Sequence, residues 1–171
     1  MAKWNDTDTP IAYLITFRTY GTWLHGDERG SMSRHHNIYG TPKLKYEPNW
    51  IATNNERMNR EPVILDAKMR SVVEKAVTET CEFRGWKLYA INIRTNHVHI
   101  VVPAGDRKPG PMLNALKANS TRLLRSFGVW GGEKSPWSDK GSNRYIWTGE
   151  SLARACNYVR DNQGGELPAF D

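Results

Sequence analysis

At 171 residues the chain is long enough to bury one good core and too short for two independent ones, so it reads as a single domain, 1–171. Its 24 Lys and Arg against 18 Asp and Glu leave a net charge of +6, which favours a polyanionic partner without requiring one. No stretch approaches the roughly 18 consecutive apolar residues of a membrane span, and MAKWNDTDTP carries acids and a proline where a signal peptide would be apolar, so the expected location is the cytoplasm.

The run IAYLITFRTY, Ile11 to Tyr20, is rich in β-branched and aromatic residues after Pro10 and predicts a first strand. Gly21 and Gly26 break it. From about residue 25 to 61 the composition turns polar, with no sustained period of 2 or 3.6, which marks an inserted loop region. His35 and His36 lie in it, and adjacent side chains diverge, so they read as part of a surface loop. Met69, Val72, Val73, Ala76, Val77, Thr80 and Cys81 then recur at steps of three and four, predicting a helix from Asp66 to Phe83 stopped by Gly85.

Trp86 to Ile93 follows as a strand apolar on both faces, the pattern of a central position. Thr95 and Asn96 make a tight turn into a partner strand, His97 to Val102, ended by Pro103. A second amphipathic helix, about 111–127, is expected to bury Met112, Leu113, Leu116, Leu123, Leu124 and Phe127, and to carry Lys117, Arg122 and Arg125 outside. A last strand is expected near Ser142 to Trp147, and a third helix from about Gly149 to Gln163, stopped by Gly164 and Gly165. Cys81 and Cys156 stand far apart among apolar helical positions and read as core thiols, with no disulfide or zinc site. The order strand, helix, strand, strand, helix, strand, helix is α+β: a ferredoxin-like antiparallel sheet with helices packed on it and one extra C-terminal helix.

Side chains alternate along a strand, so His97 and His99 point the same way, about 7 Å apart at Cα, and can converge on one ion. Two ordinary strand histidines fit the same spacing. On the third helix Tyr158 and Asn162 are four residues apart and share a face. Tyr158 is either a core tyrosine or a phenol presented with Asn162 to that ion. Two imidazoles and an amide oxygen suit Mg²⁺ or Mn²⁺ with open positions, and the absence of a GxxxxGK[ST] loop fits chemistry without ATP.

Together, NHVHIV at Asn96 to Val101 and NYVRDNQ at Asn157 to Gln163 resemble the histidine strand and nucleophile helix of the HUH single-tyrosine transposases, including the REP-associated members. Thr16 to Arg18 and the segment Trp137 to Trp147 resemble the family too; the 25–61 insertion matches least. The resemblance implies that Tyr158 is the nucleophile and that His97, His99 and Asn162 hold a divalent metal. It also implies metal-dependent cleavage of single-stranded, hairpin DNA through a 5′-phosphotyrosine, strand transfer without ATP, and a homodimer. Asn162-Gln163 stands where the REP-associated pattern has Asn-Pro, which makes Gln163 a second candidate ligand; a five-residue helical step turns it about 100° further round, which favours Asn162. Arg18, Lys117, Arg122, Arg125 and Arg144 are the DNA-binding candidates, and Trp137 and Trp147 flank a basic stretch where bases can stack. A non-cleaving, structure-specific nucleic-acid-binding protein is the alternative, although mere binding does not need two histidines, a tyrosine and Asn162 together. A hydrolase that activates water would leave no covalent adduct.

Overall fold

The computed structural model describes residues 9–22, 48, 56, 58–164 and 167. Its elements are β1 (Ala12–Thr19), α1 (Ala67–Arg84), β2 (Ala90–Ile93), β3 (His97–Pro103), α2 (Pro109–Ser126), β4 (Trp137–Ile146) and α3 (Gly149–Asp161). The strands form one antiparallel sheet in the order β2-β3-β1-β4. This is the expected α+β, ferredoxin-like layout. Among the described residues no helix is long and apolar enough to cross a membrane.

Alternation along the strands divides the apolar residues between two layers. Tyr13, Ile15 and Phe17 of β1 join Val98, Ile100 and Val102 of β3 beneath α1 and α2, in the larger core with Leu65, Val73, Val77, Leu116 and Leu124. The intervening Ala12, Leu14 and Val101 lie on the other face with Ala90, Ile146, Cys156 and Val159, beneath α3. Both cysteines are free and buried, as expected. Helix α1 begins where Asp66 accepts a bond from Met69 N at 2.8 Å. It ends at Gly85, whose φ of 66° lets the Gly85 and Trp86 amides reach the carbonyls of Glu82 and Cys81 at 3.1 and 2.8 Å.

Four expectations need correction. β2 is an edge strand rather than a central one, and it covers only Ala90–Ile93. Its two-sided apolar pattern arises because Ile91 and Ile93 pack against the larger core while Ala90 packs under α3. Phe127, expected inside, is 48% exposed, because the helix ends at Ser126 and Phe127 is its C-cap, with Lys75 Nζ 5.3 Å from the ring centroid. Lys117 is half-buried instead of lying on a solvated face, because its ammonium turns into backbone carbonyls of β4. Finally, β4 starts at Trp137, five residues before the expected Ser142, because the polar SDKGSN stretch pairs through its backbone with β1. Most of the 25–61 insertion, including His35 and His36, lies outside the described residues.

Gly141 makes that pairing possible. A Cβ there would sit 2.5 Å from Thr16 O and 2.9 Å from Leu113 Cδ2, a clash with the neighbouring strand's backbone and with α2. Gly141→Ala is therefore expected to destabilise the protein by about 1–3 kcal/mol, read as a lower urea midpoint. Gly131→Ala, where nothing lies within 4 Å, is the control and should leave the midpoint nearly unchanged. Equal midpoints for the two variants would show that β4 does not approach β1 this closely.

Candidate active site

The β1–β3 register sets Thr16 opposite His99 and Arg18 opposite His97. Directly opposed residues share a face, so all four lie on the α3 side, beyond the apolar patch that α3 covers. His97 and His99 have ring centroids 4.6 Å apart. Helix α3, capped by Thr148 accepting from Ser151 N at 3.1 Å, is seated by buried Cys156 and Val159 with Leu152 and Ala155 beside them. Tyr158, one step round from Val159, is left 43% exposed with its ring centroid 5.7 Å from that of His99. Two long-range bonds hold the helix on β2 and the residue before it: Asn92 Nδ2 donates to Val159 O at 2.9 Å, and Arg160 Nη2 to Tyr89 O at 2.7 Å.

Each imidazole is oriented through one nitrogen. His97 Nδ1 lies 2.7 Å from Asn96 Oδ1; an amide oxygen only accepts, so Nδ1 is the donor and a neutral ring keeps its lone pair on Nε2. His99 Nδ1 meets the Thr16 hydroxyl at 2.7 Å. Burial, then the neighbouring His97 and Arg18, push the His99 pKa from 6.5 down to about 3, against a hydrogen bond to Gln163 that raises it. The ring is therefore neutral at pH 7, the form that ligates metals.

The structure brings Gln163, and not Asn162, to this pair. Helix α3 stops at Asp161 and Asn162 is its exposed C-cap, at φ −111° and ψ 29°. The five-residue step to Gln163 is thus no longer helical, which removes the reason for preferring Asn162. Gln163 Nε2 donates to Tyr158 O at 3.0 Å, turning Oε1 toward His97 Nε2 at 3.3 Å. With Nδ1 donating to Asn96, a neutral His97 turns an Nε2 lone pair toward Gln163 Oε1, an arrangement that a cation satisfies. The donor set, two imidazoles and one amide oxygen, fits a borderline divalent ion with open positions. Among the described residues no group of three or more His, Cys, Asp or Glu could hold a metal ion.

The model of the IS200-like transposases matches residues 55–161, more than half of the chain. The chain belongs to the IS200-like transposase family. That agrees with the single-tyrosine resemblance carried by NHVHIV and NYVRDNQ. Two solved structures are similar to this transposase. A REP-associated tyrosine transposase bound to a REP hairpin shares 11% identity, covering 95% of this chain and 72% of the other, with a TM-score of 0.49. A proposed transposase from Deinococcus radiodurans R1 shares 15%, covering 97% and 100%, with a TM-score of 0.43. None of the curated proteins matches the transposase.

The basic candidates of the transposase do not gather at one place. Arg18 stands on the site face, and Arg144, opposite Leu14, is exposed on that same face further down β4. Lys117, Arg122 and Arg125 lie on α2, across the sheet from Tyr158, where they line a shallow groove. Lys117 Nζ donates to Ser138 O at 2.6 Å and to the carbonyls of Asp139 and Lys140 at 3.3 Å; burial lowers its pKa. Arg125 Nη2 donates to Glu133 O at 2.6 Å, and Arg122 Nε to Asn119 Oδ1 at 2.9 Å. Trp137 is a core residue, 2% exposed, edge-on to Phe17 at 4.9 Å. Thr16 and Asn96, which hold the two histidines, were not among the sequence candidates. Asn96 precedes His97 and its adjacency was the available clue, whereas Thr16 required the strand register.

The neutral state of His99 has a signature in stability. Its folded pKa lies below the unfolded 6.5, so below 6.5 the unfolded chain binds more protons. The contribution of His99 is fully present above pH 6.5 and is lost as pH falls from 6.5 toward 3. In EDTA, wild type should lose up to about 1.4 kcal/mol per pH unit from this group on acidification, and His99→Gln correspondingly less. Parallel curves of unfolding free energy against pH for the two proteins would remove His99 as the buried neutral base.

Proposed function

We propose that this transposase cleaves and rejoins single-stranded DNA through Tyr158, at a strand folded as a hairpin. The carrying observation is that a tyrosine 43% exposed at the end of its helix stands against a histidine pair whose rings are each held through Nδ1. Membership of the IS200-like family supports the reaction class, and the hairpin comes from the resemblance. Dimerisation belongs to the same proposal on the same ground.

His97, His99 and Gln163 would hold Mg²⁺ or Mn²⁺, with Gln163 replacing the expected Asn162. A divalent ion bound there supplies positive charge to the oxygens of the scissile phosphate and polarises phosphorus. Tyr158 Oη forms a bond to phosphorus as the bond to the 3′ oxygen breaks. The phenol gives up one proton and the 3′ oxygen gains one, so the products are a 5′-phosphotyrosine and a free 3′-hydroxyl. The ester retains the bond energy, and attack by a 3′-hydroxyl reverses the step without ATP. Thr16 and Asn96 act through the histidines, by holding each ring with Nε2 available.

The test incubates the protein with labelled single strands carrying imperfect palindromes from the DNA flanking its gene, plus Mn²⁺ or Mg²⁺, and resolves products in SDS. Wild type should give a covalent adduct that disappears in Tyr158→Phe and in EDTA. Cutting without an adduct would favour activated water, and hairpin binding without cutting would favour the binding-module alternative. Thr16→Val keeps the shape and removes the hydroxyl, so metal affinity should fall roughly 10- to 100-fold while the fold persists. Unchanged Mn²⁺ affinity, measured calorimetrically, would leave Thr16 no role in orienting His99.

A further inference from the structure

An exposed aromatic pair stands at the end of β4 and just beyond it. Tyr145 and Trp147 are 49% and 40% exposed, with their rings near-parallel at 16° and centroids 6.2 Å apart. Ile146 between them is 2% exposed and packs under α3, so the pair projects from the opposite face of the sheet. The platform is anchored from below. Tyr145 meets the buried Tyr13 edge-on at 5.1 Å, and the Tyr13 hydroxyl donates to Arg107 O at 2.8 Å. This ties the rings to the loop before α2, where Arg107 and Lys108 stand against the single acid Asp106.

We propose that Tyr145 and Trp147 are a stacking platform for an unpaired nucleobase of the DNA strand on which the enzyme acts, an inference that rests on the DNA reading above. Rigid, flat rings beside cationic residues suit a base with an open π-face. Bases inside a duplex have both faces covered by their neighbours, so the platform selects unpaired nucleotides such as those of a single strand or hairpin loop. Thr148, next after Trp147, caps α3, and about 14 Å of that helix separates it from Tyr158. The pair and Tyr158 lie on opposite faces of the sheet, so a strand that meets both passes round the edge formed by β4.

The test measures binding without turnover: fluorescence anisotropy in EDTA, with a labelled oligothymidylate of about 15 nucleotides and an equally long strand of abasic residues. Trp147→Leu should weaken oligothymidylate binding about tenfold and leave the abasic strand unaffected, while Trp147→Phe, which keeps a ring, stays near wild type. Equal losses on both strands, or none on either, overturn the platform. So does a change in the oligomeric state of Trp147→Leu with oligothymidylate binding intact, which would assign the pair to a protein contact. Loss of base discrimination at Trp147 in a protein that forms no Tyr158 adduct supports the platform and overturns the covalent reading. An adduct that forms while Trp147→Leu binds like wild type overturns the platform alone.

Discussion

The pairing of β1 with β3 is the constraint on which the site depends. Its register sets Thr16 against His99 and Arg18 against His97, and alternation sends Val98 and Ile100 into the main core from between the two histidines. A slip of one residue would turn every side chain of one strand to the other face, placing an imidazole among the core aliphatics. A buried polar group without a partner costs about 1–3 kcal/mol, so the Thr16–His99 bond both orients the ring and guards the register. Stability and orientation of the site are one interaction seen from two sides.

Helix α3 settles how much of the sheet face stays open. Its apolar contacts, Leu152, Ala155, Cys156 and Val159, fit the patch of Ala12, Leu14, Ala90, Val101 and Ile146 and leave Thr16, Arg18, His97 and His99 outside it. Tyr158 falls at the boundary, adjacent in sequence to the last buried residue. The helix then ends within four residues. The Tyr158 carbonyl accepts from both Asn162 N and Gln163 Nε2, so a residue just past the helix reaches back to the histidines. Had the helix continued, Gln163 would have rotated away and Asn162 would have faced the pair.

This explains which features were legible in the sequence. Helix periodicity located α1 and α2, and the HxH spacing located both histidines, because these depend on local geometry. β4 was only half visible, since an edge strand pairing through its backbone needs no apolar alternation and SDKGSN resembles a loop. An edge strand such as β2 reads as central because apolar residues on both faces record covering layers and not neighbouring strands. Thr16 could not be found without knowing which residue of β3 it opposes. Helical spacing favours Asn162 over Gln163 only in an unbroken helix, and the C-cap at Asn162 ends the helix first.

Charge is where composition and structure part most clearly. A net charge of +6 and a row of cations on α2 suggest a phosphate track, but Lys117 and Arg125 each donate to backbone carbonyls of the segment from Gly132 to Lys140. That segment leads into and begins β4, and long cationic side chains from α2 hold it through those carbonyls. The cations thus support the strand that presents Ser142 and Arg144 to the site face and Tyr145 to the other. On the face that carries the histidines, Arg18 is close enough to depress the His99 pKa. A guanidinium there adds to burial and to His97 in opposing protonation of the imidazole, so Arg18 helps to keep His99 neutral.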